Sequence, residues 1–153
     1  MTITDLLTEE CVIPELQSTT KEGVLAELAE LLQAAVPSSD PGTLLAVLRE
    51  REKLNSTAIG DGIAIPHGRL PGLSQVKAGF ALSKAGVDFD SIDCQPTHIF
   101  FALVAPENAA TLHLKALARI ARILKDPQFR ADLLSLEGPH EIFAAIVEKD
   151  GNL

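Results

Sequence analysis

His67 stands between Pro66 and Gly68, with Arg69 two residues on, and that setting suits a nucleophile that receives an anionic group. Pro66 fixes its own φ and offers no backbone donor. It also pushes Ile65 toward an extended conformation. Gly68 has no Cβ, which leaves room for a partner to approach the imidazole. Arg69 adds a permanent positive charge nearby. When the position is all that is considered, a packed or surface histidine is the commoner reading.

Other residues carry chemistry at suggestive distances. Arg51 lies sixteen residues before His67, next to Arg49 and Glu50. Taken alone it is a solvated arginine in the last turn of a helix, where a cation complements the helix dipole. His113 precedes Leu114 on a strongly apolar helical segment, about 100° round from a stripe of Leu114, Leu117, Ala121 and Leu124. An edge histidine packing against Leu117 is the plain alternative. Ser56 and Thr57 precede a glycine turn. Their hydroxyls are able to donate to phosphoryl oxygens or to stabilise the turn through their own backbone. His98 and His140 belong to no motif and read as structural or surface residues.

Several chemistries are disfavoured. No two histidines or cysteines have the short spacing of a metal site. Cys11 and Cys94 are far apart and read as reduced, mostly buried thiols. No Gly-Lys-Ser/Thr follows the glycines, so a nucleotide loop is not expected. No GxSxG elbow is present. A net charge of −8 and the absence of Trp and Tyr argue against nucleic acid; the acidity either steers the protein toward a basic protein partner or simply keeps it in solution. No apolar run approaches the ~18 residues of a membrane span. The N-terminal Met1-Thr2-Ile3-Thr4-Asp5 lacks the order of a secretory signal, so a cytoplasmic location is expected.

Glu52, six intervening residues, then Ile59-Gly60-x-x-Ile63-Ala64-Ile65-Pro66-His67-Gly68 resembles the phosphohistidine signature of the enzyme IIA proteins of the bacterial phosphotransferase system. Within the fructose/mannitol superfamily the chain is most similar to the nitrogen-regulatory type, and the likeness is weakest before Thr20. The resemblance implies a phosphoryl carrier that takes its group from a histidine phosphocarrier protein onto His67. It also implies that Arg51 helps to hold the phosphoryl group, and that His113 in Leu112-His113-Leu114-x-x-Leu117 orients it rather than accepting it. Neither cofactor nor metal is required. The output it implies is regulatory: binding to targets such as transporters or sensor kinases would depend on the state of His67, within an apolar surface expected from Ile63, Ile65 and Leu70. The alternative is transfer onward to a fructose- or mannitol-type permease component.

The elements that must position these residues are legible in outline. Residues 3–7 suggest a helical turn and Cys11–Ile13 a short extended piece that stops at Pro14. Thr19-x-x-Glu22 reads as a capping box opening a helix that ends at Pro37. Asp40-Pro41 reads as an N-cap followed by proline at the first helical position. Residues 53–69 form the signature loop, with a strand at 63–65. Residues 76–82 predict a strand and 85–90 a turn and edge segment. The run His98–Val104 predicts a strand buried on both faces. Asn108 is placed to cap a helix over 109–124; Asp126-Pro127 and Gly138-Pro139 open two more. Strands in the middle with helices before and after predict one layered domain, 1–153, of α/β (α+β) class. The resemblance implies a mixed sheet flanked by helices on both faces.

Overall fold

The computed structural model describes residues 1–153. Two short 3-10 turns, Ile3–Asp5 and Glu9–Cys11, lead into β1 (Val12–Ile13), α1 (Lys21–Ala35) and α2 (Pro41–Glu52). Three short strands follow, β2 (Ala58–Gly60), β3 (Ile63–Ala64) and β4 (His67–Leu70), then two long ones, β5 (Lys77–Val87) and β6 (Thr97–Pro106). Helices α3 (Ala110–Ile123), α4 (Pro127–Ser135) and α5 (Pro139–Gly151) complete the chain.

The apolar run around Phe100 becomes β6, at the centre of a mixed sheet ordered β1-β5-β6-β3-β2. On one side β5 runs antiparallel to it, pairing Phe80 with Phe101 and Leu82 with Ile99. On its other side β3 and β4 follow one another in parallel along the same edge, Ile63 against Ile99 and His67 against Leu103. Pro66 interrupts the two, and its carbonyl still accepts the Leu103 amide at 2.9 Å. His67 is therefore the first residue of a strand registered on the best-buried strand of the protein.

Side-chain alternation in β4 sends Gly68 to one face and His67 and Arg69 to the other. The Gly68 face receives α2: a Cβ at Gly68 would collide with Val47 Cγ1. A Cβ at Gly79 of β5 would press on Leu31 of α1, so α1 covers the same face. Helix α3 covers the opposite face and meets His67 there. The expected mixed sheet with helices on both faces is what forms. The space beside Gly68 is taken by a helix of the same chain, not left open to a partner.

Caps set several helix starts. Asp40 accepts the Thr43 amide at 2.8 Å and Asp126 accepts the Gln128 amide at 3.0 Å, as their Asp-Pro pairs predict. Helix α1 is capped one residue later than expected: Thr20, not Thr19, accepts the Gly23 amide. Glu22 is turned instead to Arg49 on α2. Asn108 does not cap α3, whose N-cap is Ala109 without a side-chain bond. The α3 stripe is also shifted. Its buried face is His113, Ala116, Ile120 and Ile123, while Leu114 is 67% exposed.

The signature segment holds more strand than expected. Gly60 (φ 92°), Asp61 (φ 57°) and Gly62 (φ 77°) turn the chain between β2 and β3, and the two glycines take this left-handed backbone without a Cβ penalty. β5 continues through 85–87 into the region expected to turn, with a register irregularity between Leu82 and Val87. Cys11 is buried, but Cys94 is exposed on the loop between β5 and β6; both are free thiols. Ile63, Ile65 and Leu70 are core residues, not an exposed surface.

The two ends of the chain meet at Asp150. This buried carboxylate accepts the Ile3 amide at 3.0 Å and pairs with Arg119 of α3. No helix is long and apolar enough to cross a membrane.

Candidate functional site

Where β4 forms the edge of the sheet, a cleft of about 450 Å³ opens between the end of α2 and the first turns of α3, lined by Val47, Glu50, Arg51, Leu54, His67, Gly68, Arg69 and His113. Each element delivers its residue for a local reason. Gly68 lets α2 approach until Val47 packs on β4, and Arg51 follows Val47 by one helical turn. His113 falls on the buried face of α3, at the end of the helix nearest β4.

His67 Nδ1 lies 2.7 Å from the carbonyl oxygen of Ile65, two residues back across Pro66. A carbonyl only accepts, so Nδ1 carries the proton and Nε2 keeps the lone pair. Burial holds the imidazole below its ordinary pKa; the Ile65 bond opposes this in part, the Arg51 charge adds to it, and Glu52 opposes it. Together these favour the neutral ring, with its lone pair on Nε2.

The His113 ring meets that of His67 edge to face, with centroids 5.2 Å apart and planes at 76°. Its Nε2 is buried without a hydrogen-bond partner in the chain. A buried polar atom left unpaired is costly, and such atoms concentrate where a ligand supplies the partner. Burial first, then the neighbouring His67 and Arg69, push its pKa down to about 4.

Arg51 is fixed in the cleft by its own loop, donating from Nη1 to Asn55 O at 3.0 Å and to Asn55 Oδ1 at 3.1 Å. Its remaining donors are unclaimed. The cleft thus gathers His67, His113 and Arg51. It does not gather Ser56 or Thr57. Ser56 Oγ donates to Phe89 O at 2.7 Å and accepts the Ala58 amide. Thr57 is buried and its hydroxyl donates to Glu52 at 2.6 Å. Both hydroxyls shape the loop, and neither lines the cleft. His98 bonds Ser83 O through Nδ1, and exposed His140 pairs with Glu9; both lie outside the cleft.

Arg69 is the cleft residue whose place the sequence did not reveal. Its charge was evident, but only a strand at 67–70 puts residues i and i+2 on one face. A larger hollow of about 550 Å³, between Lys21, Glu22, Leu25, Arg49, Glu52 and Lys53, contains no histidine. Its charges are paired within the chain, Arg49 with Glu22 and Lys21 with Glu52.

Residues 5–149 match the family described as phosphoenolpyruvate-dependent sugar phosphotransferase system, EIIA 2. The chain belongs to the EIIA 2 family. As a member it is a component of the phosphotransferase system, whose work is phosphoryl transfer between proteins. Among EIIA 2 relatives, a nitrogen regulatory protein of Bradyrhizobium diazoefficiens is 41% identical over 146 residues, covering 95% of each chain. The crystal structure of nitrogen regulatory protein IIA-Ntr from Neisseria meningitidis superposes with a TM-score of 0.87 at 30% identity, covering 94% of this chain and 98% of that one. The fructose-specific EIIABC component of Bacillus subtilis is 36% identical over 98% of this chain but only 24% of its own length.

Proposed function

We propose that this protein is a cytoplasmic phosphoryl carrier of the nitrogen-regulatory type, that residues 1–153 form one carrier domain, and that His67 accepts the phosphoryl group of a histidine phosphocarrier protein. One observation carries the reading: His67 presents an unprotonated Nε2 beside a second, buried imidazole with an unpartnered nitrogen, in a cleft edged by Arg51 and Arg69.

In this reaction His67 Nε2 attacks phosphorus on the donor phosphohistidine. The new P–N bond forms as the donor's P–N bond breaks, and the donor imidazole leaves with the bonding pair. Each ring keeps its own N–H, so no proton has to be moved. His67 gains positive character as it bonds phosphorus, and the Ile65 carbonyl on Nδ1–H stabilises it. Charge on the equatorial oxygens is met by the Arg51 fork and by Nε2–H of His113. Arg69, on the same face as His67, contributes a further cation. Catalysis is positioning and charge stabilisation, without metal or nucleotide.

The regulatory output is favoured by the nitrogen regulatory relatives, which match this chain over nearly their full length. A second reading, transfer onward to a fructose-type permease component, rests on the EIIABC relative. Incubation with phosphorylated phosphocarrier protein tests the shared step. One acid-labile, base-stable phosphate is expected on the wild type and none on His67→Ala. Unchanged uptake by the variant, measured by mass spectrometry at neutral pH, would overturn the reading.

A further inference from the structure

Glu52 is the first residue of the signature, and the cleft does not use it. Its side chain is nonetheless the most heavily bonded carboxylate near the site. Glu52 is 8% exposed at the end of α2. Oε1 and Oε2 each lie 3.0 Å from the Thr57 amide, and Oε2 accepts the Thr57 hydroxyl at 2.6 Å. Lys21 of α1 approaches Oε1 at 3.1 Å, with its other side toward Asp90 and the Phe89 ring.

The bonding continues beyond Thr57. Its carbonyl accepts the Ile65 amide at 3.0 Å. The carbonyl of Ile65, across the same residue, accepts His67 Nδ1–H at 2.7 Å. A hydrogen-bonded ladder therefore runs from the Glu52 carboxylate through Thr57 and Ile65 to the imidazole, each step pointing the next acceptor at its donor. Arg51, the neighbour of Glu52, lies in the cleft at the other side of the same helix end.

We infer that Glu52 is a positioning residue for transfer at His67: by latching Thr57 it fixes the Ile65 carbonyl that holds His67 in the Nδ1–H tautomer with Nε2 free. The inference rests on His67 as acceptor. Hydrogen-bonded groups behind a working imidazole commonly decide its tautomer and orientation, with losses of about 10–100-fold when they are removed. The carboxylate also places a negative charge at the base of the ladder, on the side from which the ring's positive character is stabilised as phosphorus bonds. Lys21 holds that carboxylate in place. Glu52 does not touch the phosphoryl donor, so its loss must appear in kcat and not in KM for the donor protein.

The test uses the full chain labelled with ¹⁵N-histidine, as wild type, Glu52→Gln and Glu52→Ala. Glutamine preserves volume, but its amide has one accepting oxygen in place of two and no charge for Lys21. Expected in both variants are a mixture of His67 tautomers in the ¹⁵N spectrum and a kcat lower by about 10–100-fold, with KM for phosphorylated phosphocarrier protein unchanged. If Glu52→Ala does not fold, Glu52→Gln decides. A folded Glu52→Gln protein that keeps either the wild-type tautomer or the wild-type kcat overturns the inference, because a purely structural glutamate would lower the melting temperature and move neither. Should wild type itself gain no phosphate on His67, the acceptor reading fails, and the tautomer spectrum still reports whether Glu52 sets the ring.

Discussion

Val47 occupies the space that a side chain at Gly68 would need, and this contact brings Arg51 to His67. A methyl at residue 68 would have to displace α2 from β4. Gly68→Ala is expected to lower stability by about 1–3 kcal/mol, as overpacked cores do, and to slow phosphoryl uptake by moving Arg51. Val47→Ala in the same chain should restore part of both. Denaturant unfolding with a single-turnover transfer assay checks this, and a stable, fully active Gly68→Ala protein would show that the helix contact is not what sets the cleft.

The tautomer at His67 predicts where the phosphate goes. The phosphohistidine should be the Nε2 isomer, with Nδ1 still protonated and bonded to Ile65. Two-dimensional ¹⁵N–³¹P correlation distinguishes the isomers. Phosphate on Nδ1 would require the Ile65 bond to break and would invalidate the geometry argued for attack.

His113 and Arg51 are expected to assist without accepting. His113→Ala and Arg51→Ala should still place phosphate on His67, each slower by something on the order of 10²–10³, the usual loss when one positioned donor is removed. Double substitution should cost less than the product of the two if both serve the same oxygens. Wild-type rates in either single variant would return that residue to packing or solvation.

The depressed pKa of His113 makes stability depend on pH. With the unfolded ring near 6.5 and the folded ring near 4, the unfolded chain binds a proton that the folded chain refuses in between. Stability from this group is complete above the unfolded value and is lost as pH falls through that window. His113→Gln should therefore flatten the fall in unfolding free energy between pH 6.5 and 4 relative to wild type. Carboxylate effects cancel in the comparison. Parallel curves for the two proteins would mean that His113 is protonated as easily folded as unfolded.

The rim of the cleft carries the output prediction. Leu54 is 79% exposed at the cleft, and Leu112 and Leu114, on either side of His113 in α3, are 42% and 67% exposed. A target that covers them desolvates His67. Phosphorylation adds about −1.5 to −2 charges at that point, which is costly against an apolar partner that brings no cation to supplement Arg51 and Arg69. Targets should bind the unphosphorylated form more tightly by about 5–150-fold. Calorimetry on unmodified and phosphorylated protein measures this. Equal affinities would place the target elsewhere and shift weight to the permease reading.

Much of this was legible where local chemistry decides. Asp40-Pro41 and Asp126-Pro127 announce helix starts because the cap and the proline act within one turn. The apolar run around Phe100 announces a strand buried on both sides. What was not legible depends on partners distant in sequence. Leucine outranks alanine in hydrophobicity, so α3 reads as a leucine stripe, yet the face that meets β6 has small Ala116 between His113 and Ile120. Leu114 is left to the rim, which turns an apparent edge histidine into a buried one. Pro66 hides β4, because proline usually ends a strand; here its carbonyl alone keeps the ladder to Leu103. Ser56 and Thr57 looked free to bind phosphate because their acceptors, Phe89 O and Glu52, lie outside the motif's own turn.

Asp150 holds the Ile3 amide on one side and Arg119 on the other. On a ribosome, the opening turn of this chain must wait through 147 residues of synthesis for the carboxylate that fixes it. Helix α3, which carries His113, is likewise without its Arg119 tether until then. A nascent chain stalled before Asp150 would have its sheet and His67 translated, but His113 would sit on a helix still lacking its Arg119–Asp150 tether.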